Sequence, residues 1–296
     1  MPAMLSILVT GDKGFIGSQL RRRLVDLGHV VAGYDRRDGN DLLDLKNLET
    51  QVRRADAIFH IAAQADLTQM AESIEAGRDG IIDNVNGTHN LAFLCARHGK
   101  WLIYASTVCV YGDSASTAAT GEETLPNPPE LYACSKYAAE LIVRGYGLNH
   151  GMPWTSLRFA TSYGPGMRPS MGMHIFFTQA LAGRPITVHG DGRQTRNLTY
   201  IDDLIDGMIA CLEHPTEARN EIVNLTADES VTALKMAEDI RQITNSSSPI
   251  VFVDQRKNQT LREHVSAEKA RRLFGWRSQT AWIDGLGKTF EWMRSL

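Results

Sequence analysis

The chain has 296 residues and a formal net charge of −3, with 31 Lys and Arg against 34 Asp and Glu. Because charges of both signs are interspersed, the sequence lacks the broad basic surface with which proteins bind nucleic acid or an anionic membrane. Its four cysteines show no Cys-x-x-Cys or Cys/His spacing, so we expect no metal site and no disulfide framework, and a reducing, cytoplasmic location.

The first elements follow the order strand, turn, helix, strand. Residues 5–9 form an apolar run that ends in a glycine turn, residues 15–27 have helical spacing that stops at Gly28, and residues 30–34 form the next apolar run. The first strand begins near Leu5, and no run of about 18 apolar residues occurs, so we expect neither a signal peptide nor a membrane span. The alternation continues through predicted strands at 57–61, 101–105 and 155–159 and predicted helices at 81–97 and 131–149.

Strands that alternate with helices at this spacing predict an α/β fold with a doubly wound parallel sheet of the Rossmann type. After residues 164–166 the pattern changes to a short strand at 186–189 and helices at 174–182, 204–212, 233–243 and 281–293. We therefore interpret residues 1–165 as the Rossmann domain and residues 166–296 mainly as a smaller C-terminal lobe, interleaved with the first domain, for a substrate.

The glycine turn after the first strand has the spacing of a dinucleotide site. Gly11 permits the tight turn, Gly14 lets the backbone approach a pyrophosphate, and Gly17 allows close packing of helix on strand. Phe15 and Ile16 open the helix, whose first N–H groups and dipole favour an anion. A strand before the turn and a helix after it favour a bound dinucleotide over a turn without ligand.

Asp35 ends the second strand, where a carboxylate accepts hydrogen bonds from the adenosine ribose and repels a 2′-phosphate. It predicts NAD as the cofactor. NADP is the less favoured alternative, because Arg36 and Arg37 follow directly and could attract that phosphate. Further candidates for cofactor contact, which could equally be ordinary loop or core, are Asp44 and Leu45 along the adenine and Ala62 and Ala63 after the third strand.

Tyr132 and Lys136 are four residues apart in a predicted helix and therefore project from one face of it. An ammonium beside the phenol would lower its pKa and make it a usable base near neutral pH. Thr107 lies upstream at a predicted strand end, where its hydroxyl could share the substrate proton with Tyr132. This set is suited to the oxidation of a hydroxyl to a ketone on a bound sugar.

These motifs resemble the extended short-chain dehydrogenase/reductase family, in its NAD-dependent nucleotide-sugar epimerase and dehydratase branch. The resemblance covers nearly the whole chain. Within this branch the sequence resembles the UDP-glucose and UDP-glucuronate 4-epimerases. The matching segments are the glycines Gly11, Gly14 and Gly17, the Asn-x-Gly-Thr segment at Asn86, the triad Thr107, Tyr132 and Lys136, the turn at 163–165 and the stretches 190–196 and 200–203.

The resemblance implies a tightly held NAD that takes hydride from a sugar carbon while Tyr132 removes the hydroxyl proton and Lys136 binds the nicotinamide ribose. In a 4-epimerase the 4-keto sugar turns over and receives the same hydride on its other face. We therefore predict C4 epimerisation of a UDP-hexose or UDP-hexuronate. The resemblance also implies a homodimer through the helices at 81–97 and 131–149, where Leu141, Ile142 and Tyr146 are apolar enough to contribute.

The residues after Thr107 bear on related reactions. Where 4,6-dehydratases of this branch have Asp-Glu, this chain has Val108 and Cys109, and the Glu that related decarboxylases place in this stretch is also missing. In GDP-fucose synthase a Cys at the spacing of Cys109 works with a His, and His174 lies in a comparable stretch. The alternative is therefore a 3,5-epimerase/4-reductase, consuming NADPH, or a dehydratase that acts on a nucleotide ketosugar, with Cys109 and His174 as acid and base. Cys109 could equally be a packing residue, and a remote alternative is a non-catalytic NAD-binding sensor.

Substrate contacts are also implied by the resemblance. Thr161 stands where the family has an Asn before the Tyr-Gly-Pro turn, and Thr107 would contact the sugar. Arg196 and Arg256 fit positions that hold the diphosphate, although Arg256 is followed by Lys-Asn-Gln where relatives have Pro-Gly-Asp. His174 ends a pattern that begins at Arg168 and occurs in the UDP-glucuronate and UDP-glucose 4-epimerases.

Overall fold

The structure is a computed structural model that describes residues 4–114, 118–256 and 260–296. Its strands are β1 (Ser6–Thr10), β2 (Val30–Tyr34), β3 (Ala57–His60), β4 (Trp101–Thr107), β5 (Trp154–Phe159), β6 (Thr161–Tyr163), β7 (Ile186–His189), β8 (Thr195–Tyr200), β9 (Glu221–Leu225), β10 (Ser230–Thr232) and β11 (Ile250–Val253). Six of them form a parallel sheet in the order β2-β1-β3-β4-β5-β9. The fold class predicted from the alternation is therefore confirmed.

Helices cover the sheet. They are α1 (Phe15–Asp26), α2 (Leu45–Arg54), α3 (Leu67–Glu72), α4 (Ile74–Ile81), α5 (Gly87–His98), α6 (Leu131–His150), α7 (Gly172–Leu181), α8 (Ile201–Glu213), α9 (Pro215–Ala218), α10 (Ala233–Ile243), α11 (Glu268–Phe274) and α12 (Trp282–Arg294). Within the described ranges, no helix is long and apolar enough to cross a membrane.

The central strands are buried from end to end, which explains their continuous apolar runs. Every residue of β3 and of β4 is buried, as expected for parallel strands with helices on both faces. Apolar side chains of the two faces form separate clusters, one around Val9, Phe59 and Leu157 and the other around Leu8, Ile58 and Leu102. Alternate residues of each strand therefore serve opposite faces of the same sheet.

The helix predicted at 81–97 differs from the one observed. It begins earlier, at Ile74, and its middle is a π-helical turn, Ile82–Asn86, between α4 and α5. Gly80 weakens the helical signal of α4 in the sequence, because glycine has a low helix propensity. The structure requires glycine there, since a side chain at this position would collide with Met70. The π turn, a feature that often marks functional positions, has no periodic signature in the sequence.

The two parts of the chain share the central sheet. Residues up to 165 supply five of its strands, and β9, from residues 221–225, pairs with β5 as the sixth. The later residues also form a sheet in the order β10-β8-β6 and the parallel pair β11 and β7. We propose that the C-terminal lobe is interleaved with the Rossmann domain through β9. Residue 165 then separates the segment for the dinucleotide from the segment for the substrate and is not a boundary between folding units.

A buried ion pair joins α6 to the sheet. The Arg158 guanidinium on β5 donates two hydrogen bonds to the Glu140 carboxylate, at 2.6 and 3.1 Å, and a third to the Tyr111 hydroxyl at 2.7 Å. Tyr111 in turn donates to Asn224 Oδ1 on β9 at 2.9 Å. Both charged side chains are at most 2% exposed, so each one depends on the other for compensation of its lost hydration.

Replacing Arg158 by Met is expected to lower the free energy of unfolding by about 3–5 kcal/mol, because the Glu140 carboxylate would remain buried without a partner. Urea denaturation followed by circular dichroism measures this loss. The control is Arg294→Met, which breaks the exposed pair with Glu291 and should cost less than about 1 kcal/mol. Equal costs at the two positions would contradict the assigned role of the buried pair.

Candidate active site

A cleft of about 700 Å³ lies at the carboxyl ends of the central strands. It extends from the turn after β1 past the end of β4 to the start of α7. The strand order reverses between β1 and β3, and in open α/β sheets ligands bind at such a reversal. The predicted site residues that line this cleft are Gly11, Gly14, Phe15, Ile16, Gly17, Asp35, Arg36, Ala62, Ala63, Thr107, Cys109, Tyr132, Lys136, Thr161 and Arg256.

The glycine turn is shaped for a close approach. Gly11 has a φ of +72°, and a Cβ there would lie 2.7 Å from the backbone nitrogen of Ala62. A Cβ at Gly17 would overlap the carbonyl of Gly11, so α1 packs directly on the turn. No side chain caps the start of α1 at Gly14, which leaves its first N–H groups available to a ligand phosphate. These residues therefore fit the pyrophosphate of a dinucleotide.

The far end of the cleft holds a cluster of charges. The Asp35 carboxylate accepts hydrogen bonds from the backbone N–H of Lys13, at 3.1 Å, and of Arg37, at 2.9 Å. The Arg36 guanidinium donates to both carboxylate oxygens of Asp83, at 2.6 and 2.7 Å. Asp41 also lines this end, which corresponds to the predicted position of the adenosine.

The predicted adenine contacts are displaced. Asp44 and Leu45 are absent from the described residues that line the cleft, because Asp44 caps α2 by accepting a hydrogen bond from the Asn47 N–H at 3.1 Å. Leu42 and Leu43 line the cleft in their place. We therefore propose Leu42 and Leu43, in the same loop before α2, as contacts of the adenine.

Asn86 is also absent from the described lining, to which this segment contributes Asp83 and Gly87. Asn84, next to Asp83, is buried. Its side chain accepts from the Gln64 N–H at 2.7 Å, donates to the Gln64 carbonyl at 3.0 Å and donates to Ser135 Oγ at 2.9 Å. It therefore ties the loop after β3 to α6.

The predicted catalytic residues come together. Thr107 is the last residue of β4, and Tyr132 lies in the first turn of α6, which Glu130 caps by accepting from the Tyr132 N–H at 2.8 Å. Burial raises the pKa of the Tyr132 hydroxyl above its ordinary value, while Arg168 and a hydrogen bond with Thr107 act in the opposite direction. The phenol is therefore protonated at neutral pH in this state, with a hydroxyl partner and a nearby positive charge.

Lys136 differs from the prediction in its charge. Burial lowers its pKa to about 7, against an opposing effect of Glu140, and its Nζ lies 4.3 Å from the centre of the Tyr104 ring. The main interactions that lower the Tyr132 pKa come from Arg168 and Thr107. Burial therefore weakens the charge of Lys136, since an ammonium removed from water is only partly ionised near neutral pH.

Cys109 and His174, the pair of the alternative reaction, are not brought together in the described lining of the cleft. Cys109 lines the cleft, but burial raises the pKa of its thiol to about 12 and keeps it protonated. The His174 ring instead packs edge-on against Trp292, with ring centres 6.1 Å apart, and its Nδ1 lies 3.2 Å from Thr178 Oγ1. His174 is on α7, whose first residue, Gly172, reaches the cleft while the histidine does not.

The substrate end contains one arginine that the sequence analysis did not assign. Arg168 lines the cleft and donates to the Ala65 carbonyl at 3.1 Å; it heads the same pattern that drew attention to His174. Arg196 is outside the described lining, donates to the adjacent Thr195 carbonyl and lies beside Glu263. Arg256 lines the cleft. Residues 257–259, where the sequence differs from the family motif, lie outside the described residues.

A glycine turn at the sheet reversal, with a Thr, a Tyr and a Lys in the same cleft, defines a dinucleotide-dependent oxidoreductase type of site. A sequence profile described as the NAD dependent epimerase/dehydratase family matches residues 7–226. The chain belongs to this family.

Individual relatives cover nearly the whole chain. A UDP-N-acetyl-α-D-glucosaminuronate decarboxylase of Bacillus cytotoxicus is 31% identical, over 98% of each chain. A protein of Bacillus subtilis named as an uncharacterized UDP-glucose epimerase is 31% identical, over 99% of each. Among solved structures, the UDP-glucuronic acid 4-epimerase of Bacillus cereus in complex with UDP-glucuronic acid and NAD has a TM-score of 0.91 and 27% identity, over 98% of this chain and 99% of that chain.

These comparisons confirm the predicted family and the predicted type of enzyme, an NAD-dependent nucleotide-sugar epimerase. They also confirm NAD as the cofactor that the family uses.

The lowered pKa of Lys136 makes stability depend on pH. Between the folded value of about 7 and the ordinary value of 10.5, the unfolded chain binds more protons, so stability rises with pH over this window. In Lys136→Met the contribution is absent. The free energy of unfolding of the unchanged protein, relative to this variant, should therefore increase between pH 7 and 10 by at most about 1.4 kcal/mol per pH unit. Urea denaturation across this range is the measurement, and a constant difference would show that Lys136 is charged when folded.

Proposed function

We propose that the protein inverts C4 of a UDP-linked hexose or hexuronate through a transient 4-keto sugar, with NAD as a returning hydride carrier. The observation that carries this proposal is the single cleft that joins the glycine turn to Thr107, Tyr132 and Lys136. The relatives that act on UDP-sugars support the nucleotide.

Each residue has a role in this proposal. When bound, oxidised NAD supplies the hydride acceptor and a positive charge that favours the Tyr132 phenolate. Tyr132 takes the proton of the sugar hydroxyl, with the Thr107 hydroxyl as its hydrogen-bond partner, and returns a proton after the hydride has come back. Lys136, whose pKa is lowered to about 7, binds the nicotinamide ribose and exchanges a proton with it near neutral pH. No net oxidation results.

The residues after Thr107 favour epimerisation over elimination or decarboxylation, despite the similarity to a decarboxylase. Val108 is aliphatic and cannot exchange a proton, and His174, the partner that Cys109 would need, is absent from the described lining of the cleft. Asp66 places a carboxylate at the substrate end and caps α3. Burial raises its pKa, but hydrogen bonds from Ser170 and the Gln69 N–H have the larger combined effect, so that the pKa is lowered. An acid with a lowered pKa is a poor proton donor at neutral pH.

Arg168 is our candidate contact for the carboxylate of a hexuronate, and its charge is partly offset by Asp66, whose pKa it lowers. Arg168 lines the cleft close enough to Tyr132 to lower its pKa, and Thr161 and Ser162 line the same region with hydroxyl groups. A guanidinium with hydroxyl neighbours suits a sugar carboxylate. Arg256 remains our candidate for the diphosphate.

We further propose a homodimer in the cytosol. Leu141 is 46% exposed and Leu148 is 70% exposed on α6, while Ile142 and Tyr146 pack against their own core. Exposed apolar side chains on one helix suit a pairing surface, and light scattering would report twice the mass of one chain. The four cysteines, all free, fit a reducing compartment.

The reaction is tested by incubating the purified protein with UDP-glucose, UDP-glucuronate and their N-acetylated counterparts in deuterated water without added cofactor. Proton NMR should show inversion at C4 with no deuterium on the ring carbons, most rapidly for UDP-glucuronate. The Cys109→Ala variant should do the same within a few-fold. Deuterium at C3 or C5 would instead make Cys109 a proton-transfer residue, and loss of the C6 carboxylate would indicate decarboxylation.

Replacing Tyr132 by Phe removes the proposed acid and base while the ring that packs in the cleft remains. Turnover should fall by about 10²–10⁴-fold, and NAD should stay bound, which isothermal titration checks. Tyr137→Phe, on the same helix and outside the described lining of the cleft, is the matched control and should retain its activity. Full activity in Tyr132→Phe would rule out the mechanism.

A further inference from the structure

Among the described residues, three cations lie in or beside the adenosine end of the cleft, where they could receive a 2′-phosphate, and each is already engaged. Lys13 Nζ lies 3.3 Å from the Asp38 carboxylate. The Arg37 guanidinium donates to the Lys13 carbonyl at 2.8 Å. Arg36, which lines the cleft and has a 55% exposed side chain, makes the bidentate pair with Asp83.

The Arg36–Asp83 pair has the geometry of a strong and directional interaction. Two nearly parallel hydrogen bonds of 2.6 and 2.7 Å use the fork of the guanidinium. Asp41 adds a second carboxylate, 3.4 Å from Arg36 Nε. A guanidinium between two carboxylates carries no net positive field toward a ligand phosphate, although it borders the ligand cleft.

The backbone aims Asp83 at this position. Asp83 is the second residue of the π-helical turn Ile82–Asn86, and Asn84, next to it, is directed to Gln64 and Ser135. The same turn therefore supports the loop after β3 and presents a carboxylate to Arg36. The pair connects residues 47 positions apart in the chain, so the π turn determines where the Arg36 side chain lies.

We propose that Asp83 is a specificity-determining residue that holds Arg36 away from a 2′-phosphate and thereby makes the cleft select NAD over NADP. Asp35 contributes by repelling the 2′-phosphate, and Asp83 contributes by pairing with Arg36. In the described lining, two arginines border this end of the cleft. Arg37 donates to a backbone carbonyl, whereas the described contacts of Arg36 are with carboxylates. The proposal rests on the proposed function only for the assumption that a dinucleotide binds in this cleft.

The test measures binding of NAD and NADP separately by isothermal titration, with no sugar present. In Asp83→Ala, the ratio of the NADP dissociation constant to that of NAD should fall about tenfold, mainly through tighter binding of NADP. Asp79→Ala is the matched control, since it removes an equally charged side chain from α4 whose ion pair within the described part of the chain is with its exposed neighbour Arg78. Its ratio should not change.

A second replacement shows whether Arg36 receives the phosphate. In Asp83→Ala with Arg36→Ala, the gain for NADP should disappear. A gain that persists in the double variant, or an unchanged ratio in Asp83→Ala, would overturn the proposal. If Asp83→Ala does not fold, Asp83→Asn should shift the ratio in the same direction by less, because one acceptor oxygen remains, and an unchanged ratio there would also overturn it. A protein that binds NAD selectively and has no epimerase activity would refute the proposed function and leave this inference intact.

Discussion

The buried ion pair between Glu140 and Arg158 holds the helix that carries Tyr132 and Lys136. It fastens α6 to β5, and Tyr132, Lys136 and Glu140 follow one another at intervals of four residues along that helix. The same helix face thus carries the tyrosine, a desolvated lysine and the anchor. Because β5 lies beside β4, which ends at Thr107, this contact between a helix and a strand also relates the position of Thr107 to that of the other two side chains.

The electrostatics of the cleft change from one end to the other. Near the glycine turn, aspartates and cations pair with one another, and the first helix offers uncapped N–H groups. At the substrate end Arg168 and Asp66 line the cleft together with hydroxyl groups, and Arg168 lowers the pKa of both Asp66 and Tyr132. A ligand that is anionic in its middle matches the uncapped N–H groups. The centre is the most desolvated part, which explains why Lys136 loses much of its charge there.

Features encoded by local spacing could be predicted from the sequence. The glycine turn, the strand ends and the Tyr132–Lys136 pair depend on residues close together in the chain, and the structure places them as expected. The orientation of His174, which Trp292 holds away from the cleft, depends on a helix more than 100 residues later. The role of Asn84 depends on a π turn without a periodic signal. The charge of Lys136 depends on burial, which no short motif records.

The shared sheet affects how the chain is assembled during synthesis. β9 pairs with β5 along its length, but residues 160–220 separate them and are made in between. Until they emerge from the ribosome, β5 presents an open edge of unpaired backbone groups, to which another strand can add. The nascent half that binds the dinucleotide is therefore incomplete until most of the polypeptide exists. Translation speed across this stretch, more than the stability of the finished protein, sets how long that edge is exposed to other nascent chains.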